Sequence, residues 1–172
     1  MSAEYDLTII GGGPVGMFAA FYAGMRNARV QLLESLPELG GQVQALYPEK
    51  IIHDVAGYPA IKGRELVAQL EKQLTQFPID IQLASPVTDV TGAMGDFTIT
   101  TASGQQSHSK AIIVATGSGA FEPRRLAVDN AAEFENKQLF YHIPSVKQFA
   151  DRTVLVLSLI HISEPTRRTP IS

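Results

Sequence analysis

Tyr5-Asp6-Leu7-Thr8-Ile9-Ile10-Gly11-Gly12-Gly13-Pro14-Val15-Gly16 is the stretch on which the reading of this chain turns. Tyr5, Leu7, Ile9 and Ile10 suit a short buried strand. Gly11, Gly13 and Gly16 then stand in G-x-G-x-x-G register, and a helical run follows over residues 14–27. A second apolar strand, residues 30–33, ends at Glu34. Strand, glycine loop, helix, strand and closing carboxylate together make the fingerprint of a dinucleotide-binding βαβ unit, which a bare glycine match would not.

Each position has a physical task. Gly11 permits the tight turn out of the strand, Gly13 lets a pyrophosphate come close to bare backbone, and Gly16 lets the helix lie close to the sheet. Free N–H groups at the helix start and the helix dipole favour negative phosphate. Pro14 suits the first helical turn, where its missing N–H costs nothing. Glu34 can accept hydrogen bonds from both ribose hydroxyls and would repel a 2′-phosphate, which points to the adenosine of FAD or NAD and away from NADP. The competing reading, that the glycines only shape turns, leaves the accompanying strands, helix and carboxylate unexplained.

The chain has 172 residues, 45% of them hydrophobic and 18% charged, enough for one ordinary core or for one domain and part of another. The net charge of −3, with Glu and Lys dispersed and no basic amphipathic run, gives no nucleic-acid footprint. No apolar stretch approaches the ~20 residues of a membrane span. The start, Met-Ser-Ala-Glu-Tyr-Asp, lacks the positive region of a signal peptide, so a cytoplasmic location is expected. Cysteine is absent, which excludes disulfides, thiolate metal sites and a C-x-x-C pair within these residues. His53, His108, His142 and His161 are scattered without metal-ligand spacing and are read as ordinary polar residues, so no metal is expected.

Past Glu34, the pair Gly40-Gly41 before Gln42 marks a loop where backbone passes near something bulky. Tyr47-Pro48 and Tyr58-Pro59 point to extended or turn backbone. Residues 63–77 predict an amphipathic helix with Leu66, Val67, Leu70 and Leu74 on its apolar stripe, stopped by Pro78. Short strands follow at residues 80–84, 87–91, 97–101 and 107–111, spaced as a β-meander that would cover one face of the main sheet. The continuous apolar run 111–115 predicts a parallel strand buried on both faces, ending in Thr116-Gly117 beside the first glycine loop.

From Phe121 the texture changes. Residues 130–134 predict a short helix, 138–141 a strand, 144–150 another short helix, and 153–157 a second buried strand, as at the start of a second nucleotide fold. After Leu157 a second glycine loop is expected. Instead residues 158–172 contain no glycine, and two prolines oppose a helix. That string reads as translated adapter sequence, a non-native tail that is left out of fold reasoning.

Three features go beyond a generic nucleotide fold: Ile9-Ile10-Gly11-Gly12-Gly13-Pro14-Val15-Gly16, Glu34 with Leu39-Gly40-Gly41-Gln42, and Ala115-Thr116-Gly117. Together they resemble the two-dinucleotide flavoprotein reductases. Ala45-Leu46-Tyr47-Pro48-Glu49-Lys50, Asp54-Val55-Ala56-Gly57-Tyr58-Pro59 and Phe121-Glu122-Pro123-Arg124 narrow the resemblance to the thioredoxin-reductase-like ferredoxin–NADP⁺ reductases, over about residues 4–157. The resemblance implies an α/β architecture: a Rossmann-like, FAD-binding three-layer fold of parallel sheet, helices and β-meander, plus the start of a second nucleotide-binding domain. On it, residues 1–120 would be an FAD-binding domain lacking its carboxyl-terminal return segment, and 121–157 the start of a truncated NADPH-binding domain.

The same resemblance places Gly11, Gly13, Pro14 and Gly16 on the FAD pyrophosphate and Glu34 on the adenosine ribose. It places Gln42 on the flavin side and Tyr47 on one face of the isoalloxazine ring. Val87 would meet the adenine, and Thr116, Gly117 and Phe121 would close over the cofactor. A core tyrosine at 47 and an ordinary strand residue at 87 are the plainer alternatives. The implied chemistry carries electrons from NADPH through FAD to ferredoxin or flavodoxin in a homodimer. It needs no side-chain acid or base, so no catalytic residue is named. The NADPH site is absent from these residues, so the chain alone is expected to hold FAD weakly or not at all and to lack reductase activity. A thioredoxin reductase or a non-enzymatic dinucleotide-binding module would share the first glycine loop.

Overall fold

The computed structural model describes residues 4–119, 125–141, 143 and 145–157. In chain order the elements are β1 (Glu4–Ile10), α1 (Pro14–Gly24), β2 (Val30–Leu33), α2 (Gly41–Leu46), β3 (Ile51–Ile52), β4 (Ile61–Lys62), α3 (Gly63–Leu74), β5 (Asp80–Gln82), β6 (Val87–Ala93), β7 (Asp96–Thr101), β8 (Gln106–Val114) and α4 (Ala131–Phe134), followed by a 3₁₀ turn, Val146–Phe149. Six strands join in the order β5-β2-β1-β8-β7-β6. β5, β2, β1 and β8 run parallel, and β8, β7 and β6 form the antiparallel meander.

Alternation along β1 builds the layers. Ile9 turns to the helices, where it packs with Val30 and Leu32 of β2, Met17 and Ala20 of α1, and Val67 and Leu74 of α3. Full burial of each such side chain is worth about 1.5–3 kcal/mol, so the α3 stripe read from its 3.6-residue period is what fixes that helix to the sheet. Gly24 brings the end of α1 against Phe77, since a Cβ there would lie 2.7 Å from the Phe77 Cβ. Thr8 and Gln31 are buried, and Gln31 Oε1 accepts hydrogen bonds from Thr8 Oγ1 (3.2 Å) and Ser107 Oγ (2.8 Å). Gln31 and Ser107 thus meet across β1, which lies between their strands. The meander is hydrogen-bonded into the sheet through β8.

At the other end of the strands the Tyr5 hydroxyl donates to the Asp80 carboxylate and ties β1 to β5 across β2. Burial, followed by that hydrogen bond, pushes the Tyr5 hydroxyl up to about 12. The Lys110 ammonium and the Arg29 backbone N–H both donate to Asp6 and hold its carboxyl below the usual range.

Several expectations are corrected. α1 ends at Gly24, because residues 25–27 turn and Asn27 is left-handed (φ 58°). Residues 107–111 and 111–115 are not two strands: no turn residue separates them, and β8 runs through. Nor is the run buried on both faces, since Val114 is 70% exposed. β7 pairs with β8 only along Gln106–Ser109, which leaves the end of β8 paired with β1 alone among the described residues. Residues 138–141 form no strand. The backbone wraps around the Phe134 carbonyl, which accepts from the N–H groups of Lys137, Gln138 and Leu139. Residues 153–157 form no strand and are exposed, Leu155 at 83%, and no described strand lies beside them to complete a ladder. α2 and the β3–β4 hairpin were not foreseen. Phe121 and the tail, residues 158–172, lie outside the described residues. Among the described residues no helix is long and apolar enough to cross a membrane.

Candidate functional site

A cleft of about 610 Å³ opens at the carboxyl ends of β1, β2 and β8. That size is ordinary for a cofactor or ligand site, and this edge of a parallel sheet is where α/β folds bind ligands. Gly11, Gly13, Pro14, Glu34, Gln42, Val87, Thr116 and Gly117 all line it. Residues from five separate sequence stretches are therefore brought to one place. Gly16 stands behind the lining and Tyr47 beyond it, at the end of α2.

The three motif glycines differ in what forces them. A Cβ on Gly16 would run into the Gly11 carbonyl, and one on Gly11 (φ 111°) into Ala115, so both are glycine because backbone packs on backbone. A Cβ on Gly13 would meet nothing nearer than Gly41 Cα at 4.0 Å. Protein packing leaves room for a side chain there, and the residue presents bare backbone to the cleft. It is also the N-cap of α1, whose first intrahelical bond runs from Met17 N–H to Gly13 O (2.9 Å). The N–H groups of Val15 and Gly16 thus have no acceptor in the helix. Bare backbone, first-turn donors and the helix dipole suit a diphosphate, so the residues present fit the cofactor that the fold implies.

Gly40 and Gly41 close over this loop. Gly40 N–H donates to Gly12 O (2.9 Å), and a Cβ on Gly41 would lie 3.1 Å from Gly13 Cα. The bulky neighbour expected for this pair is thus, among the described residues, the first glycine loop itself, together with Val67 under Gly40.

Glu34 is buried and its carboxylate accepts three protein hydrogen bonds. Gly12 N–H donates to Oε2 (2.6 Å), while Leu36 N–H (2.8 Å) and the Ser35 hydroxyl (3.0 Å) donate to Oε1. Its first role is as a strut from β2 to the glycine loop. Oε2, with one donor, keeps acceptor capacity toward the cleft. Across the cleft the Gln42 amide donates to the Ser118 hydroxyl, linking α2 to the loop after β8. Ser118 also lines the cleft and was missed as a site residue. Its only signal was its place directly after Thr116-Gly117.

Tyr47 is half exposed, so it is not a core tyrosine, and the Lys50 ammonium lies 5.3 Å from its ring centroid. Val87 pairs with Thr101 on β7, as an ordinary strand residue does, and also lines the cleft. The neighbouring Ser85 and Pro86 also line the cleft and carried no sequence signal. They are set by Ala84, a non-glycine residue at φ 49°, held by Ala84 N–H to Leu36 O (2.9 Å) and Ser85 N–H to Glu34 O (2.8 Å). Left-handed backbone costs an alanine about 1–2 kcal/mol, of which glycine's greater unfolded-state freedom would return part. Ala84→Gly is therefore expected to raise stability by about 0.5–1 kcal/mol, read as a higher denaturant midpoint at unchanged slope.

The family described as pyridine nucleotide-disulphide oxidoreductase matches residues 5–155. The chain is 58% identical over 156 residues to a ferredoxin–NADP reductase of Levilactobacillus brevis, covering 91% of this chain and 47% of that protein. It is 53% identical over 154 residues to one of Limosilactobacillus reuteri, covering 89% and 46%. It thus spans about half the length of the curated relatives it matches. Among solved structures, thioredoxin reductase of Streptococcus pyogenes superposes with a TM-score of 0.61 at 29% identity, covering 74% of this chain and 39% of that one. The Lactococcus lactis enzyme gives 0.59 at 28%, covering 76% and 40%. Fold, cleft and sequence agree: the chain belongs to the pyridine nucleotide-disulphide oxidoreductase family.

Proposed function

We propose that these residues form the FAD-binding part of a ferredoxin–NADP⁺ reductase, with NADPH as donor and ferredoxin or flavodoxin as acceptor. The observation that carries this reading is Gly13: a glycine at the mouth of the cleft that packing does not require, at the start of a helix whose first N–H groups are free. There the backbone of residues 13–16 would hold the FAD diphosphate. Glu34 Oε2 would take a ribose hydroxyl, Val87 would border the adenine, and Gln42, Tyr47, Thr116 and Gly117 would hold the flavin end. Bound there, FAD would supply the redox centre that joins a two-electron donor to one-electron acceptors. The NADPH site, Phe121, the division at residue 120, a homodimeric assembly and a cytoplasmic location belong to the same proposal.

Glu34→Gln in the FAD-loaded full-length reductase tests it. The amide would turn an N–H₂ group toward one of the three donors that now face the carboxylate, and an unsatisfied buried donor costs about 1–3 kcal/mol. FAD affinity is expected to fall about tenfold or more, with diaphorase activity falling in step at limiting FAD. Full activity without flavin would sink the reading.

A second reading, a thioredoxin reductase, is favoured by the superposition on the Streptococcus pyogenes enzyme. Its C-x-x-C pair would have to come from outside these cysteine-free residues. NADPH-dependent reduction of an aromatic disulfide by the full-length protein separates the two.

A further inference from the structure

The segment between α2 and α3 is held more firmly than a loop needs to be if it only connects two helices. Lys50 N–H donates to Tyr47 O (3.1 Å), Gly63 N–H to Lys50 O (3.0 Å) and Arg64 N–H to Pro48 O (2.9 Å). Pro48 is buried, and Gly63 has no room for a Cβ beside the Tyr47 carbonyl. Glu49 forms ion pairs with Arg64 and, at 3.7 Å, with Lys62. The result fixes Tyr47 and places the Lys50 ammonium 5.3 Å from its ring centroid. No carboxylate lies within ion-pairing distance of Lys50 among the described residues, so its charge is not neutralised by a partner there. One face of the Tyr47 ring is thus taken by a cation, and the residue remains half exposed.

We propose that Lys50 is a tuning residue for the bound flavin: it caps one face of Tyr47 and holds an unpaired positive charge behind the ring that stacks on the isoalloxazine. The inference rests on the reading of Tyr47 given above. Two-electron reduction with uptake of one proton leaves one more negative charge on the flavin ring system. A fixed cation one ring away favours that state over the oxidised one, and the tyrosine π-face between them is itself attracted to the cation.

The test is a spectroscopic redox titration of the FAD-loaded full-length reductase at low salt, with flavin fluorescence recorded on each variant. Lys50→Met is expected to lower the ratio of reduced to oxidised flavin at a fixed potential by about threefold or more. Lys50→Arg, which keeps a cation able to lie over the ring, should restore it, and the wild-type value should move toward that of Lys50→Met as salt is added. Tyr47→Leu should relieve the quenching of flavin fluorescence. If Lys50→Met keeps the flavin quenched and the reduced-to-oxidised ratio unchanged, the tuning role is overturned while stacking by Tyr47 stands. If Tyr47→Leu leaves the fluorescence unchanged, the stacking assignment itself fails and takes the inference with it. Should Lys50→Met not load FAD, the salt dependence of the wild-type ratio decides alone: a flat response overturns the proposal.

Discussion

Gly13→Ala is expected to lower FAD affinity by about 100-fold or more while leaving the stability of the flavin-free protein within about 0.5 kcal/mol of wild type. The two halves of that expectation come from different physics. For the fold, the added methyl has space, with its nearest neighbour at 4.0 Å, and the backbone at φ −70° and ψ −180° is open to any L-residue. Alanine is a poorer N-cap than glycine by about 0.5–1 kcal/mol, but it also reduces the freedom of the unfolded chain by about 0.4–1 kcal/mol, so the two effects roughly cancel. For the ligand, the same methyl stands where a diphosphate has to approach the backbone. Losing two hydrogen bonds to a charged group, at about 1.5–3 kcal/mol each, amounts to about 3 kcal/mol or more. At about 1.4 kcal/mol per factor of ten, that is about 100-fold. FAD titration of the full-length apoprotein, with thermal unfolding of the same samples, reads both. A variant that binds FAD normally would show that the bare backbone at residue 13 is not a cradle.

How far the sequence carried can be seen residue by residue. The glycine register and the Thr116-Gly117 turn were legible because each encodes a backbone demand that few residue types meet, and Glu34 because a carboxylate at the end of the second strand is part of the same fingerprint. The run 111–115 was legible as a strand but not in its exposure. Apolar composition states what a segment tolerates, whereas burial of Val114 depends on whether another strand lies beside it. Residues 153–157 failed for the same reason. α2 was hidden because Gly40-Gly41 reads as a loop and six residues cannot show a periodic stripe. Ala84 could not have been found at all: alanine carries no preference for left-handed backbone, and its conformation is imposed by the bonds from residues 84 and 85 to Leu36 and Glu34. Ser118 was within reach, since it follows a turn already singled out, but serine after glycine is too common to be a signal alone.

Gly16→Ala should behave as the converse of the Gly13 variant, with a stability loss of about 3 kcal/mol. In an unconstrained helix this substitution would help, because alanine is favoured over glycine by about 1 kcal/mol. Here the added Cβ would fall inside contact distance of the Gly11 carbonyl oxygen, lie 3.0 Å from Gly11 C and 3.4 Å from Ile9 Cγ2. The obstruction is backbone, and it is held in place from both sides: Gly11 N–H donates to Leu33 O (2.8 Å), and Gly11 itself lies against Ala115. Neither the turn nor β1 can move aside without breaking the sheet register that joins β1 to β2 and β8. α1 must therefore lift away, and Met17 and Ala20, both fully buried against Ile9 and Leu32, would lose their packing. Overpacking of this kind costs about 1–3 kcal/mol, and the opened core adds to it. Denaturant unfolding of the flavin-free protein should show the midpoint falling at unchanged slope. Equal stability of the Gly16 and Gly13 variants would mean that the close contact between helix and turn, on which the whole site is built, is not what holds α1 to the sheet.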